Sequence, residues 1–128
     1  MKVLRSQLFT GSFVALRASD PTMFEVVAAD IKYLLDRRHE ALLPQARLGI
    51  AQSAFRDVLG EVRSHIPGEK AFVRTLFAMP RDEWCCAFLV MGDKNTSTVG
   101  GATGNAWYDE AVPIADEIWR GILASRPG

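Results

Sequence analysis

The sequence predicts an α+β fold: one antiparallel β-sheet of about three to five strands with three helices packed mainly on one face, in the order β(β)-α-α-β-β(-β)-α. Three observations predict it. Residues 84–91 are apolar at every second position on both sides, the pattern of a central strand. Residues 24–35 and 111–123 carry apolar side chains at three- and four-residue spacing, the pattern of helices that cover a sheet. No linker, repeat or low-complexity run divides the 128 residues, so one domain spans 1–128.

Residues 2–18 have strand-type composition around Thr10-Gly11-Ser12, which predicts a hairpin or one bent strand. At Ser19-Asp20-Pro21 a helix begins, because Asp20 can accept from the open first-turn amides and Pro21 sits where a missing N–H costs nothing. Phe24, Val27, Ile31, Leu34 and Leu35 form its apolar stripe, and Arg37, Arg38 and His39 close it with positive charge. After Pro44 the spacing of Leu48, Ala51, Phe55, Val58, Leu59, Val62 and Ile66 predicts a second helix, ended by Pro67-Gly68. Two strands follow, 71–79 and 84–91, about a hairpin loop at Pro80-Arg81-Asp82-Glu83. Residues 92–95 read as a turn and 96–99 as a short edge strand. The last helix is expected at 109–124, with Ala111, Ile114, Ala115, Ile118, Ile122 and Leu123 on its stripe, Trp119 at the border and Pro113 in the first turn.

Fifteen basic and fifteen acidic residues cancel, so the chain as a whole offers no field for nucleic acid or an anionic membrane. A local patch could still exist, but the densest basic group in the sequence is only Arg37-Arg38-His39, and the expected partners include neither nucleic acid nor membrane. Eleven of the fifteen basic residues are arginine, which fits a GC-rich bacterial genome. Adjacent Cys85 and Cys86 point to opposite faces of a strand and read as buried thiols in a reducing compartment. The apolar stretch Leu8–Leu16 is interrupted by Thr10, Gly11 and Ser12, no run is long enough to span a bilayer, and the expected location is the cytoplasm.

No catalytic constellation stands out. His39 and His65 read as helix-end residues facing the dipole, without metal-ligand spacing. The neighbouring acids Asp82-Glu83, Asp109-Glu110 and Asp116-Glu117 diverge rather than converge, and Asp116 is placed to pair with Arg120. Residues 84–118, about a quarter of the chain, loosely resemble the last strand, glycine turn and helix of penicillin-recognising transpeptidases. Their lysine-threonine-glycine strand is absent, and Arg56 stands where lysine would follow Ser53 in an S-x-x-K pattern; arginine stays protonated and cannot act as a base. The likeness is that of a common β-turn-α pattern.

The remaining feature is the uncharged run 95–107, rich in glycine, threonine and asparagine and ending at Trp107-Tyr108. It matches neither of the phosphate-loop patterns, and Asp109 and Glu110 would repel an anion there. Thr98, Gly100, Gly101, Thr103, Asn105, Trp107 and Tyr108 are therefore read as a partner-binding surface, with the two aromatics as anchors or, equally, as caps over the sheet. The expectation is a non-catalytic protein-binding module without cofactor or metal. It leans towards an immunity-type toxin inhibitor acting on a toxin domain, as a monomer or weak homodimer. The alternatives are a ligand-binding domain or minor enzyme with a pocket near residues 95–107, and a self-associating adaptor or secretion chaperone.

Overall fold

The strand expected to lie inside the sheet, 84–91, is an interior strand. In the computed structural model, which describes residues 1–41, 44–95 and 106–126, the chain runs β1 (Lys2–Arg5), α1 (Gln7–Ser19), α2 (Pro21–Arg37), a 3₁₀ turn (Arg38–Glu40), β2 (Ala46–Leu48), β3 (Leu59–His65), β4 (Phe72–Ala78), β5 (Cys85–Asp93) and α3 (Ala106–Ser125). The sheet order is β1-β5-β4-β3-β2, antiparallel except for the β1–β5 pair, which is parallel. The class is α+β, as the apolar patterning predicts. Among the described residues, no helix is long and apolar enough to cross a membrane.

Every residue of β5 from Cys85 to Met91 is buried, so both faces of the sheet must be covered. α1 and α2 cover one face: Phe9, Met23, Val27 and Leu34 pack with Val62, Phe77, Cys86 and Phe88. α3 covers the other, where Trp107, Ala111, Val112, Ala115 and Trp119 pack with Leu59, Leu76, Cys85, Ala87 and Leu89. Two of the three helices thus share a face. The adjacent cysteines divide between the two cores, are free, and face away from each other as a strand requires.

Two expected elements are corrected. Residues 7–19 form a helix, not a strand or hairpin. The hydroxyl of Ser6 accepts from the Phe9 amide at 2.9 Å and donates to the Leu89 carbonyl at 2.6 Å, so one side chain caps the helix and ties it to β5. Phe9, Phe13 and Leu16 line its inner side, with the Phe9 ring stacked on Phe13 at 5.2 Å and on Phe88 at 5.4 Å. Gly11 sits in open space on this helix, so it is a weak helix position rather than a turn. Asp20 ends α1 and caps α2, accepting from the Met23 amide at 3.1 Å, as its place before Pro21 predicts.

Residues 48–66 do not form the expected second helix. They give the end of β2, a turn-rich loop over 49–58 and β3. β3 is paired on both sides, and Gly60 has no room for a side chain: a Cβ there would lie 2.6 Å from the Phe77 ring and 2.8 Å from the Arg47 carbonyl oxygen. Gly49 takes φ +77°, which a helix does not allow. The spacing that reads as a helical stripe is shared between two environments, since Leu59 enters one core and Val62 the other.

The C-terminal helix starts one turn earlier than expected, so Pro113 lies within it rather than in its first turn. Its buried side is centred on Trp107, Tyr108, Ala111, Val112, Ala115 and Trp119, which moves Trp119 from the border to the core. Asp116 is also buried and does not pair with Arg120, which bonds Glu117 instead. The Asp116 carboxylate accepts from the Ser53 hydroxyl at 2.5 Å and from the Ala54 amide at 2.8 Å. These bonds hold the 49–58 loop against α3. The expected edge strand at 96–99 lies outside the described residues.

Asp116→Ala leaves the Ser53 hydroxyl and Ala54 amide without their acceptor; urea denaturation is expected to show a loss of about 2–3 kcal/mol, and Ser53→Ala a smaller one. Burial pushes the Cys85 thiol up to about 11 and the Cys86 thiol up to about 12. An unfolded chain releases these protons near its ordinary thiol pKa, so their stabilising contribution is complete below about pH 8.5 and is lost as pH rises through the folded values. Stability measured between pH 8 and 11 is expected to fall more steeply in the native chain than in Cys85→Ala/Cys86→Ala.

Candidate functional site

α3 packs on β5 and β4, and the loop at 49–58 covers Leu59. The next positions of the same β3 face, Glu61 and Arg63, follow at two-residue spacing beyond that cover. Register then gathers charge around them. Arg47 of β2 lies opposite Glu61, and Arg74 of β4 lies opposite Arg63. Lys94, just after β5, completes the group. Arg47, Gln52, Glu61, Arg63, Lys94 and Tyr108 line a cavity of about 300 Å³.

The electrostatics are lopsided. Arg63 and Arg74 are like charges directly across a strand pair, an arrangement that costs roughly 0.2–1 kcal/mol. Arg74 is 3% exposed, yet its partners are neutral: Nε donates to the Tyr108 hydroxyl and Nη1 to the Val73 carbonyl, both at 3.2 Å. The one carboxylate on this cavity, Glu61, is 1% exposed. Its Oε1 faces Arg47 Nε at 3.5 Å and Arg63 Nε at 3.7 Å. Its Oε2 is buried and makes no hydrogen bond of good geometry. Burial, then Arg74 and Arg63, hold the Lys94 ammonium below the usual lysine range, while Glu61 acts the other way and Arg47 adds to the lowering. Arg47, Arg63 and Lys94 line this cavity with one acid, and Arg74 stands across the strand from Arg63.

Tyr108 closes the cavity from α3. Burial, and next the Glu61 charge, push its hydroxyl above the usual tyrosine range, whereas Arg74 opposes the shift. The phenol therefore keeps its proton at neutral pH. Beside the cavity, His65 and Phe72 stack at 4.0 Å with rings 6° apart, and Arg74 and Lys94 each approach the Phe72 ring at 5.8 Å. A second cavity of about 400 Å³ shares Arg63 with the first and is also lined by His65, Phe72, Arg74 and Asp30. Asp30 accepts from the Ser64 hydroxyl at 2.8 Å, and burial holds its carboxyl above the ordinary range despite that bond.

The residues singled out in the sequence fare unequally. Trp107 is 0% exposed and Tyr108 9%, so neither is an exposed anchor; of the two readings, both are core side chains over the sheet. Trp107 packs against Gly92, where a Cβ would sit 3.0 Å from the indole nitrogen, and meets Tyr108 edge-on at 5.2 Å. Tyr108 still contributes its hydroxyl to the cationic cavity. Thr98, Gly100, Gly101, Thr103 and Asn105 lie outside the described residues. His65 ends a strand, not a helix. His39 lies in the 3₁₀ turn, with Nε2 3.2 Å from the Met79 carbonyl and Nδ1 3.5 Å from Glu83. Among the described residues, no group of three or more His, Cys, Asp or Glu is placed to hold a metal ion.

Arg47, Glu61, Arg63, Arg74 and Lys94 carry no signal while 48–66 reads as a helix. With strand parity, Glu61 and Arg63 fall on one face and the pattern is visible. No protein-family model matches the chain, and no curated protein matches it. The site must be read from its own chemistry.

Because Glu61 raises both neighbours, Glu61→Gln is expected to lower the pKa of Tyr108 and of Lys94. Ultraviolet titration of the phenol and NMR titration of the lysine side chain measure the two shifts; an unchanged pair of values contradicts the arrangement.

Proposed function

We propose that the protein binds a phosphate-bearing, single-stranded nucleic acid on the face formed by β2, β3 and β4. The observation that carries this is Arg74: a buried guanidinium set against another arginine, with neutral partners only. Buried charges are ordinarily paired. A phosphate between Arg63 and Arg74 would give Arg74 a charged partner and Arg63 a second one beside Glu61, through forked, charge-assisted hydrogen bonds. The stacked His65 and Phe72 supply an aromatic surface for a base beside those cations, the combination used by single-strand binders. The charge balance of the whole chain argues against nucleic acid only while the basic residues are scattered, and folding brings four of them together.

A second reading goes further, and the buried Oε2 of Glu61 favours it. A carboxylate and a protonated phenol share one cation-lined cavity, the groups needed for proton transfer at a phosphodiester. In an RNA strand Glu61 would take the proton of a ribose 2′-hydroxyl, whose oxygen attacks phosphorus. The phosphorus–5′-oxygen bond breaks, Tyr108 supplies the leaving oxygen with its proton, and a 2′,3′-cyclic phosphate remains. The protein-binding reading, including toxin neutralisation, also draws on the uncharged run 95–107, most of which lies outside the described residues; the burial of Trp107 and Tyr108 takes away only its aromatic anchors.

Fluorescence anisotropy with labelled single-stranded RNA and DNA tests the proposal. Arg63→Gln and Arg74→Gln are each expected to weaken binding by about tenfold or more, with a shallower salt dependence. Cyclic-phosphate ends from RNA, absent with DNA and absent in Glu61→Gln, would establish the second reading. No binding of either polymer by the native chain at low salt overturns both.

A further inference from the structure

A third cavity, of about 690 Å³, lies on the other side of β2 and is lined by His39, Leu48, Gly49, Arg56, Asp57 and Arg81. It adjoins the first: Arg47 and Gln52 line one, and Leu48, Gly49 and Arg56 the other, along the same strand and loop. Three features set it apart from ordinary charged surface. Arg56 and Arg81 come from separate loops, yet both line this cavity and neither has an ion-pair or hydrogen-bond partner among the described residues. The loop that carries Arg56 is tied to α3 by the bonds of Ser53 and Ala54 to Asp116. Next to the lining residue His39, Arg38 takes φ of 55° and its ion-pair partner Glu83 takes 57°, a strained conformation for residues with side chains, and their side chains meet at 3.6 Å. Glu83 also faces His39, which directs the imidazole by its two nitrogens between Glu83 and the Met79 carbonyl. Asp57 and Glu83 are the acids here. Glu83 is engaged by Arg38 and His39, so the cavity presents Arg56 and Arg81 against the single lining acid Asp57 to an incoming group.

We infer that this cavity is a second phosphate subsite, occupied by a neighbouring stretch of the same single-stranded nucleic acid after it passes over the β2 edge. The inference rests on the reading proposed above for the first cavity. Two guanidiniums from separate loops hold a phosphate by position, without reading the base. The strand then follows a cationic track from Arg74 and Arg63 past Arg47 to Arg56 and Arg81. A short oligonucleotide fills the first cavity alone, whereas a long one reaches both.

The experiment compares labelled single-stranded oligonucleotides of three and twelve nucleotides with the native chain, Arg56→Gln/Arg81→Gln, and a control, Arg5→Gln/Arg17→Gln. Both pairs are exposed, and circular dichroism confirms that each variant is folded. The Arg56/Arg81 variant is expected to bind the twelve-mer about tenfold or more weakly and the three-mer unchanged. Its slope of log affinity against log salt for the twelve-mer should be shallower by about 1.4, the change for two fewer neutralised phosphates on a single strand. The control should match the native chain. Equal weakening for both lengths, no weakening for the twelve-mer, or the same loss in the control overturns the second subsite and leaves the first cavity standing. If the native chain binds neither oligonucleotide, the parent reading falls and takes the subsite with it.

Discussion

The burial of β5 on both faces is the constraint from which the rest of the structure follows. A strand apolar on both sides, Cys85 to Met91, cannot lie under one layer of helices and leave its other face in water. The capped α1–α2 pair covers one side and α3 the other, and the chain builds two cores across a single sheet. α3 is centred over β5 and β4. The far part of the same sheet face, where β2, β3 and β4 carry Arg47, Glu61, Arg63 and Arg74, is therefore left to polar side chains. The cationic cavity occupies the ground that the helix does not cover.

Electrostatics there run against stability. Opposed arginines, a buried guanidinium with neutral partners and a carboxylate with an unbonded oxygen are each unfavourable taken singly. Tyr108 links this region to the core, since its ring packs with Trp107 while its hydroxyl accepts from Arg74. An anion of the right shape would relieve the repulsion and complete the hydrogen bonding. Preorganised cations that outnumber the one carboxylate shared by Arg47 and Arg63 are the physical content of the functional proposal.

Local chemistry makes part of the fold legible. Asp20-Pro21 marks a helix start because a carboxylate cap and a proline at the first position act within one turn, and that holds in the structure. The run 84–91 reads as a central strand from its lack of polar residues alone. Residues 7–19 and 48–66 mislead for opposite reasons. In the first, Thr10-Gly11-Ser12 suggests a turn, but Ser6 caps a helix whose Phe9 and Phe13 find partners on β5 and α2. In the second, a helical spacing of apolar residues is real, yet sheet pairing on both sides of β3 supplies more than an isolated helix could.

The sequence by itself determined the α+β class, the Asp20-Pro21 helix start and the buried interior strand, because each depends on neighbours within a few positions. Only the tertiary structure decided which charges meet. Arg47, Glu61, Arg63, Arg74 and Lys94 come from four segments and converge through cross-strand register, a long-range property that no local pattern encodes. The same tertiary packing turned Trp107 and Tyr108 inward, because α3 could bury its apolar side only by laying both over the sheet.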